Sequence, residues 1–494
     1  MKKHLFYYYL TAIAALFISF STISAQESLK IVRGKIDTLK ALPGSVHYIT
    51  GVAPAGSTVY VNGTEVKQYK TGSFGAELRL AEGENPVLVK AEFSGAALEE
   101  KFSIFLVKPQ IKEAVMPELD FPGVVISTRE RAYLNYGVGE DRLGGAKINF
   151  LSQGIKMELL DSANFLYKVR LSDSRHAFIP KSLVKREPAG TRPAASLTSS
   201  WSVSKSGKTD IIRVALSDRL PYIIYQEMEP RRIVAEIHGA ANNSNWITQY
   251  LDLESVEYVD FNQVSHDIYR VNIYLKDKYS WGYKSEYIGN SLVITVKHTP
   301  QPAYKGSLAG LRIGVDAGHG GTASGAVSTS GVKEKDLNLA MAYMLKRELE
   351  KKGASVVLSR GDDSDLTMYE RVDIFDAAGV DLMVSVHCNA GGNPLRPGGT
   401  STYYKHIEYR DLAKSVLERL LELDVKNFGL IGNFNFSLNA PTFYPNLLVE
   451  TLFMSSLQDE EMLADPVFQN MMMKRVVSGL EDYMKKVKSS LKRR

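Results

Sequence analysis

The alternation of apolar and polar positions changes character once along this chain, close to residue 309. Before that point the apolar residues come in short β-branched runs broken by turn residues, which predicts strands. Val59-Tyr60-Val61 runs into Asn62-Gly63, and Val87-Leu88-Val89 follows Glu82-Gly83-Glu84-Asn85. A second group contains Ile148-Asn149-Phe150-Leu151, Tyr167-Lys168-Val169-Arg170 and Ala177-Phe178-Ile179. A third contains Ile211-Ile212-Arg213-Val214, Arg232-Ile233-Val234-Ala235, Tyr269-Arg270-Val271-Asn272-Ile273 and Leu292-Val293-Ile294. Residues 188–199, rich in Pro, Ala, Thr and Ser, and residues 299–308, with Pro300, Pro302 and Gly306, read as linkers.

Beyond residue 309 strand-like runs alternate with helix-like ones, which predicts an α/β domain over 309–488 with a mostly parallel sheet flanked by helices. Strands are expected at 312–315, 355–358, 381–386 and 446–449. Helices are expected at 336–352, where Leu337, Met341, Met344, Leu345 and Leu349 share one face, and at 411–423 and 468–486. Thr367-x-x-Glu370 is a capping box that opens one more. The fold class is therefore multidomain: three β-rich modules (30–110, 122–187 and 200–298), then the α/β domain.

Met1 to Ala25 reads as a secretory signal: Lys2 and Lys3, then a short apolar run, then small residues before Gln26. This predicts export to the periplasm or cell envelope. No later stretch reaches the ~18 apolar residues of a membrane span, so no stable span is expected after cleavage. The net charge of +5 on 494 residues gives no reason to expect a nucleic-acid partner. Cys388 is the only cysteine. The modules therefore hold together without internal disulfides, and any metal site must use His and carboxylates.

Three polar residues fall at comparable places in the α/β region. His319 lies in the turn Asp316-Ala317-Gly318-His319-Gly320-Gly321, just past the first strand. His387 and Glu450 each close a later strand, in Ser385-Val386-His387-Cys388-Asn389 and Leu447-Leu448-Val449-Glu450. Ligands of open α/β sheets gather at that end. With Glu334 before the next helix, the set suits catalytic zinc, which takes three protein ligands, His₂Glu among them, and keeps one position open. His319, Glu334 and His387 are the candidate ligands for Zn²⁺, and Glu450 is the candidate base. Cys388 should face the opposite side of its strand as a small core residue. His238, His266 and His298 are spaced unlike ligands and are expected to be structural or surface residues.

Around these residues the chain resembles a known family. Residues 311–487, through Gly318-His319-Gly320-Gly321, Glu334-Lys335-Asp336-x-Asn338-Leu339, Arg360, Glu370-Arg371-Val372, Ser385-Val386-His387-x-Asn389-Ala390 and Pro445-x-x-Leu448-Val449-Glu450, are similar to zinc-dependent N-acetylmuramoyl-L-alanine amidases of the amidase-3 family. The resemblance implies zinc on His319, Glu334 and His387, catalysis by Glu450, and peptidoglycan as substrate. The bond expected to break joins N-acetylmuramic acid to L-alanine. Ala317 stands where the family usually has Pro. The short span between His387 and the helix at 411 implies that the long inhibitory insertion of some members is missing. Upstream, 30–110 resembles immunoglobulin-like modules of bacterial surface proteins, 122–187 a bacterial SH3-like module, and 200–298 the AMIN module that directs cell-envelope enzymes to the wall. Two other readings of the same residues are a zinc peptidase acting on wall peptides and a non-catalytic wall-binding or activator protein. No activator of this chain can be read from its sequence.

Overall fold

The computed structural model describes residues 28–41, 44–107, 123–140 and 143–491. The expected signal at 1–25 lies outside the described residues.

The first block packs a three-stranded sheet against a five-stranded one. Lys30–Arg33, Val46–Val52 and Ser73–Arg79 form the smaller. Thr38–Lys40, Ala96–Val107, Gly83–Phe93, Thr58–Val61 and Thr64–Val66 form the larger. Alternate residues point inward, as strand geometry dictates, so Ile49, Phe74, Val89 and Ile104 make a core of their own. The second block, 123–186, is one seven-stranded antiparallel sheet. The third, 196–297, stacks sheets of five and four strands.

The second and third blocks were read as separate modules, yet their buried side chains form one continuous cluster from Val125 to Val296. Asn149 Nδ2 donates to Tyr222 O at 2.7 Å across the junction. Both expected linkers include an ordered stretch. Ser196–Leu197 pairs in parallel with Ala240–Ala241. Gln301–Lys305 forms a helical turn that ends on Gly306 at φ 64°, with Ala303 buried.

The C-terminal domain is numbered here on its own: β1 Arg312–Ala317, α1 Glu334–Lys351, β2 Ser355–Leu358, α2 Met368–Ala378, β3 Leu382–Asn389, β4 Thr400–Tyr403, α3 Arg410–Leu420, β5 Asn427–Ile431, β6 Asn446–Phe453, α4 Leu457–Leu463 and α5 Pro466–Leu491. The sheet order is β2-β1-β3-β6-β4-β5, and only the β4–β6 pair is antiparallel. One face packs Ile313, Val315, Val384, Val386, Leu447 and Val449 against α1, α3 and α5. The other packs Met383 against Val372 and Phe375 of α2 with Leu438 and Tyr444. Cys388 lies buried on the first face beside Thr451, as its strand position required. The capping box forms as expected, Thr367 Oγ1 accepting from Glu370 N while the Glu370 carboxylate accepts from Thr367 N.

Every upstream block touches this domain. Thr50 meets Thr329 at 3.1 Å, and the Arg33 guanidinium reaches Val327 O. Arg131 forms ion pairs with Asp373 at 2.8 Å and Asp376 at 2.6 Å on α2. Tyr283 N donates to Thr442 O at 2.8 Å.

Candidate metal centre

The site is built on the α2 face of the sheet. Strands β3 and β6 run further than the pattern of apolar residues suggested. β3 continues to Asn389 and β6 to Phe453, so His387 and Glu450 sit within strands and not at their ends. Strand pairing extends them, because each finds a ladder partner on a neighbour: His387 lies directly across from Glu450. His319 does follow the end of β1, in a turn where its own φ is 62°. Glu334 is the first residue of α1, where the helix dipole favours a carboxylate.

His319, Glu334 and His387 come together, each offering a ligand atom, with all such atoms within 4.8 Å of one another. Glu334 Oε1 lies 3.0 Å from His387 Nδ1, and Oε2 lies 3.2 Å from His319 Nε2. The same carboxylate accepts from Cys388 N at 3.2 Å, Ala326 N at 2.9 Å and Asn338 Nδ2 at 3.2 Å. Burial alone would raise the Glu334 carboxyl; hydrogen bonds and charge from His319 and His387 pull it well below the usual carboxylate range. Burial alone would lower the His387 imidazole; Glu334, with the charges of Glu450 and Asp316, raises it. His387 Nε2 is buried with no hydrogen-bond partner. A buried, unsatisfied acceptor or donor costs roughly 1–3 kcal/mol. Two imidazole nitrogens, His387 Nδ1 and His319 Nε2, set against the two oxygens of one ionised carboxylate fit a divalent metal.

Two glycines make room for this cluster. A Cβ on Gly318 would run into the His387 ring, and one on Gly325, at φ 67°, would collide with Glu334 and His319. Two buried arginines then fix the turn. Arg371 Nη1 donates to Asp316 Oδ1 and Ala317 O, both at 2.8 Å, and Nη2 donates to His319 O at 2.6 Å. Arg360 holds Ala317 O at 2.9 Å and Gly318 O at 3.0 Å. Burial by itself would raise Asp316, but the Arg371 guanidinium, with His387 and the Ser385 hydroxyl, holds it below the usual range. Both arginines and Asn338 stand in the quoted motifs, but nothing in those motifs assigned them this work. Phe436 also escaped notice; its ring stands edge-on to His387 with centroids 5.6 Å apart and walls one side of the cleft.

Glu450 is not one of the clustered donors. It stands beside them on the adjacent strand, partly exposed, its backbone carbonyl held by Thr400 Oγ1 at 3.2 Å. Between β3 and α3 lie one loop, β4 and a single 3₁₀ turn, with no helical insertion. Of the other histidines, His238 is buried against Ser172 and His298 against Asp210. His266 lies on the surface, as expected, beside Asp173 and Asp267 in a second group of metal-competent donors.

Residues 313–482 match the family model described as N-acetylmuramoyl-L-alanine amidase. Over 181 residues the chain is 34% identical to the uncharacterized protein YqiI of Bacillus subtilis, covering 36% of this chain and 86% of that one. Residues 313–482 are a domain of the N-acetylmuramoyl-L-alanine amidase family. The chain is also 30% identical to the N-acetylmuramoyl-L-alanine amidase LytC of Bacillus subtilis, over 40% of each chain. Among solved structures it resembles the catalytic domain of CwlV, an amidase from Bacillus (Paenibacillus) polymyxa, at 30% identity, 35% of this chain, 98% of that chain and a TM-score of 0.34. LytC is matched over less than half its length. Among the described residues no helix is long and apolar enough to cross a membrane.

Proposed function

We propose that this protein is an exported, zinc-dependent peptidoglycan amidase that cleaves the amide between N-acetylmuramic acid and L-alanine. The observation that carries the reading is the buried His319–Glu334–His387 cluster with Glu450 directly across the strand pair from His387. His319, Glu334 and His387 would hold the ion, which when bound polarises a carbonyl and lowers the pKa of water. Glu450 takes the proton from the attacking water on its carboxylate and passes it to the nitrogen of the leaving amine. Arg371 and Arg360 keep the His319 turn in place through its carbonyls, so the imidazole does not reorganise as charge develops. Gly318 and Gly325 leave the space that the His387 ring, Glu334 and His319 themselves occupy. The β-rich blocks, read as immunoglobulin-like, SH3-like and AMIN-like, would hold the enzyme to the wall.

Mass spectrometry of products from purified wall tests the reaction. Stem peptides with a free N-terminal L-alanine are expected. Fragments cut only within the peptide would refute the amidase reading and favour a peptidase. Glu450→Ala is expected to lose about 10²–10⁴-fold in turnover while still binding metal.

A further inference from the structure

The cleft has a second wall that no ligand residue belongs to. Residues 432–444 run beside it, placing Phe436 on His387, and this segment contains no Lys, Arg or His. The cation nearest to it comes from the end of β4. Lys405 Nζ donates to Asn435 Oδ1, one residue from Phe436, at 3.4 Å. The same asparagine is held by the second block: its Nδ2 donates to Gly145 O at 2.6 Å, and its Oδ1 accepts from Lys147 N at 3.4 Å. The Lys405 ammonium also lies 5.7 Å from the centroid of the Phe150 ring of that block.

Lys405 is half-buried, and among the described residues no carboxylate pairs with it. Burial, followed by the charge of Lys147, lowers it to about 8. A cation removed from water normally has a counter-ion, because its desolvation is otherwise uncompensated. Here a neutral amide and an aromatic ring hold the ammonium in place without neutralising it. That arrangement keeps a charge-assisted hydrogen bond available for an incoming anion. The position lies at the seam of two blocks, one residue along the chain from the Phe436 ring that stands on His387.

We propose that Lys405 is a specificity-determining residue of the substrate site, and that it pairs with the free carboxylate of the peptide residue following the alanine at the cleaved amide. This rests on the amidase reading above. The second block then takes part in recognition directly, since Gly145, Lys147 and Phe150 set the position of Asn435 and Lys405.

Two synthetic muropeptides differing only in that group, carboxylate against carboxamide, test the assignment with the full chain loaded with zinc. The wild type should prefer the acid about 10-fold in kcat/KM, mostly through KM, as a charge-assisted bond would give. Lys405→Gln should bring the ratio close to one by raising KM for the acid, and Lys405→Arg should restore most of the preference. Equal rates on the two substrates by the wild type, or a preference that survives in Lys405→Gln, would overturn the subsite while leaving the amidase standing. A wild type that cleaves neither would overturn the amidase reading and the subsite with it.

Discussion

Among the described residues, two clusters of histidine and carboxylate share the same donor chemistry in very different surroundings. His319, Glu334 and His387 are tied to a helix start, a strand interior and an arginine-clamped turn. Asp173, His266 and Asp267 sit on two hairpin tips from the second and third blocks, the first two exposed and Asp267 half-buried, with Asp173 N donating to Asp267 Oδ2 at 2.7 Å. The first cluster sets two imidazoles on one buried carboxylate; the second has its groups solvated or paired at the surface. Proximity of donors is common to both, so proximity does not make a metal centre. Preorganisation does, because buried donors held by their neighbours need little rearrangement to meet an ion.

The largest expected contrast comes from removing a donor. His387→Ala should lose both metal and activity, by more than about 10⁴-fold or ~5 kcal/mol, in turnover assays with metal analysis. Next is the clamp. Arg371→Ala leaves Asp316 as a buried, unpaired carboxylate and should lower stability by about 3–5 kcal/mol in denaturant melts. It should also loosen the His319 turn, so activity falls even where the variant is folded.

A third test separates burial from partnership. Glu334 and Glu408 are both buried carboxyls, yet the first is pulled down by its histidines and the second is pushed up to about 8 by burial. Glu408 is protonated in the folded chain where the unfolded chain, near 4.5, has ionised. Its contribution is fully present below pH ~4.5 and is lost as pH rises through about 8, a decline on the order of 5 kcal/mol. Glu408→Gln should flatten that part of the stability–pH curve. A curve of unchanged slope would show that Glu408 is ionised when folded. The smallest effect belongs to the exposed cluster: Asp267→Asn should shift stability by less than about 0.5 kcal/mol and leave metal content unchanged.

The same contrast explains what could be read in advance. The strand-helix alternation after residue 309 was legible because each element carries its own period. The meeting of His319, Glu334 and His387 was legible because two of them lie at the same edge of neighbouring strands and the third precedes the next helix. The extension of β3 and β6 past His387 and Glu450 was not, since pairing with neighbours decides where a strand stops. The work of Arg360 and Arg371 was hidden for a related reason. Each reaches carbonyls more than forty residues away in sequence, and a motif records only that an arginine is there. The His266 cluster needed two hairpin tips from different blocks, a meeting that no spacing within either block encodes. The shared core of the second and third blocks was likewise invisible, because strand patterns show an inner face without naming what covers it.

Metal content of the purified protein, measured side by side for the wild type and the Glu450→Ala, His387→Ala and Asp267→Asn variants, tests the central claim most directly. The account predicts one zinc per chain in the wild type, Glu450→Ala and Asp267→Asn, and none in His387→Ala. Zinc lost from Glu450→Ala, or retained in His387→Ala, would contradict it.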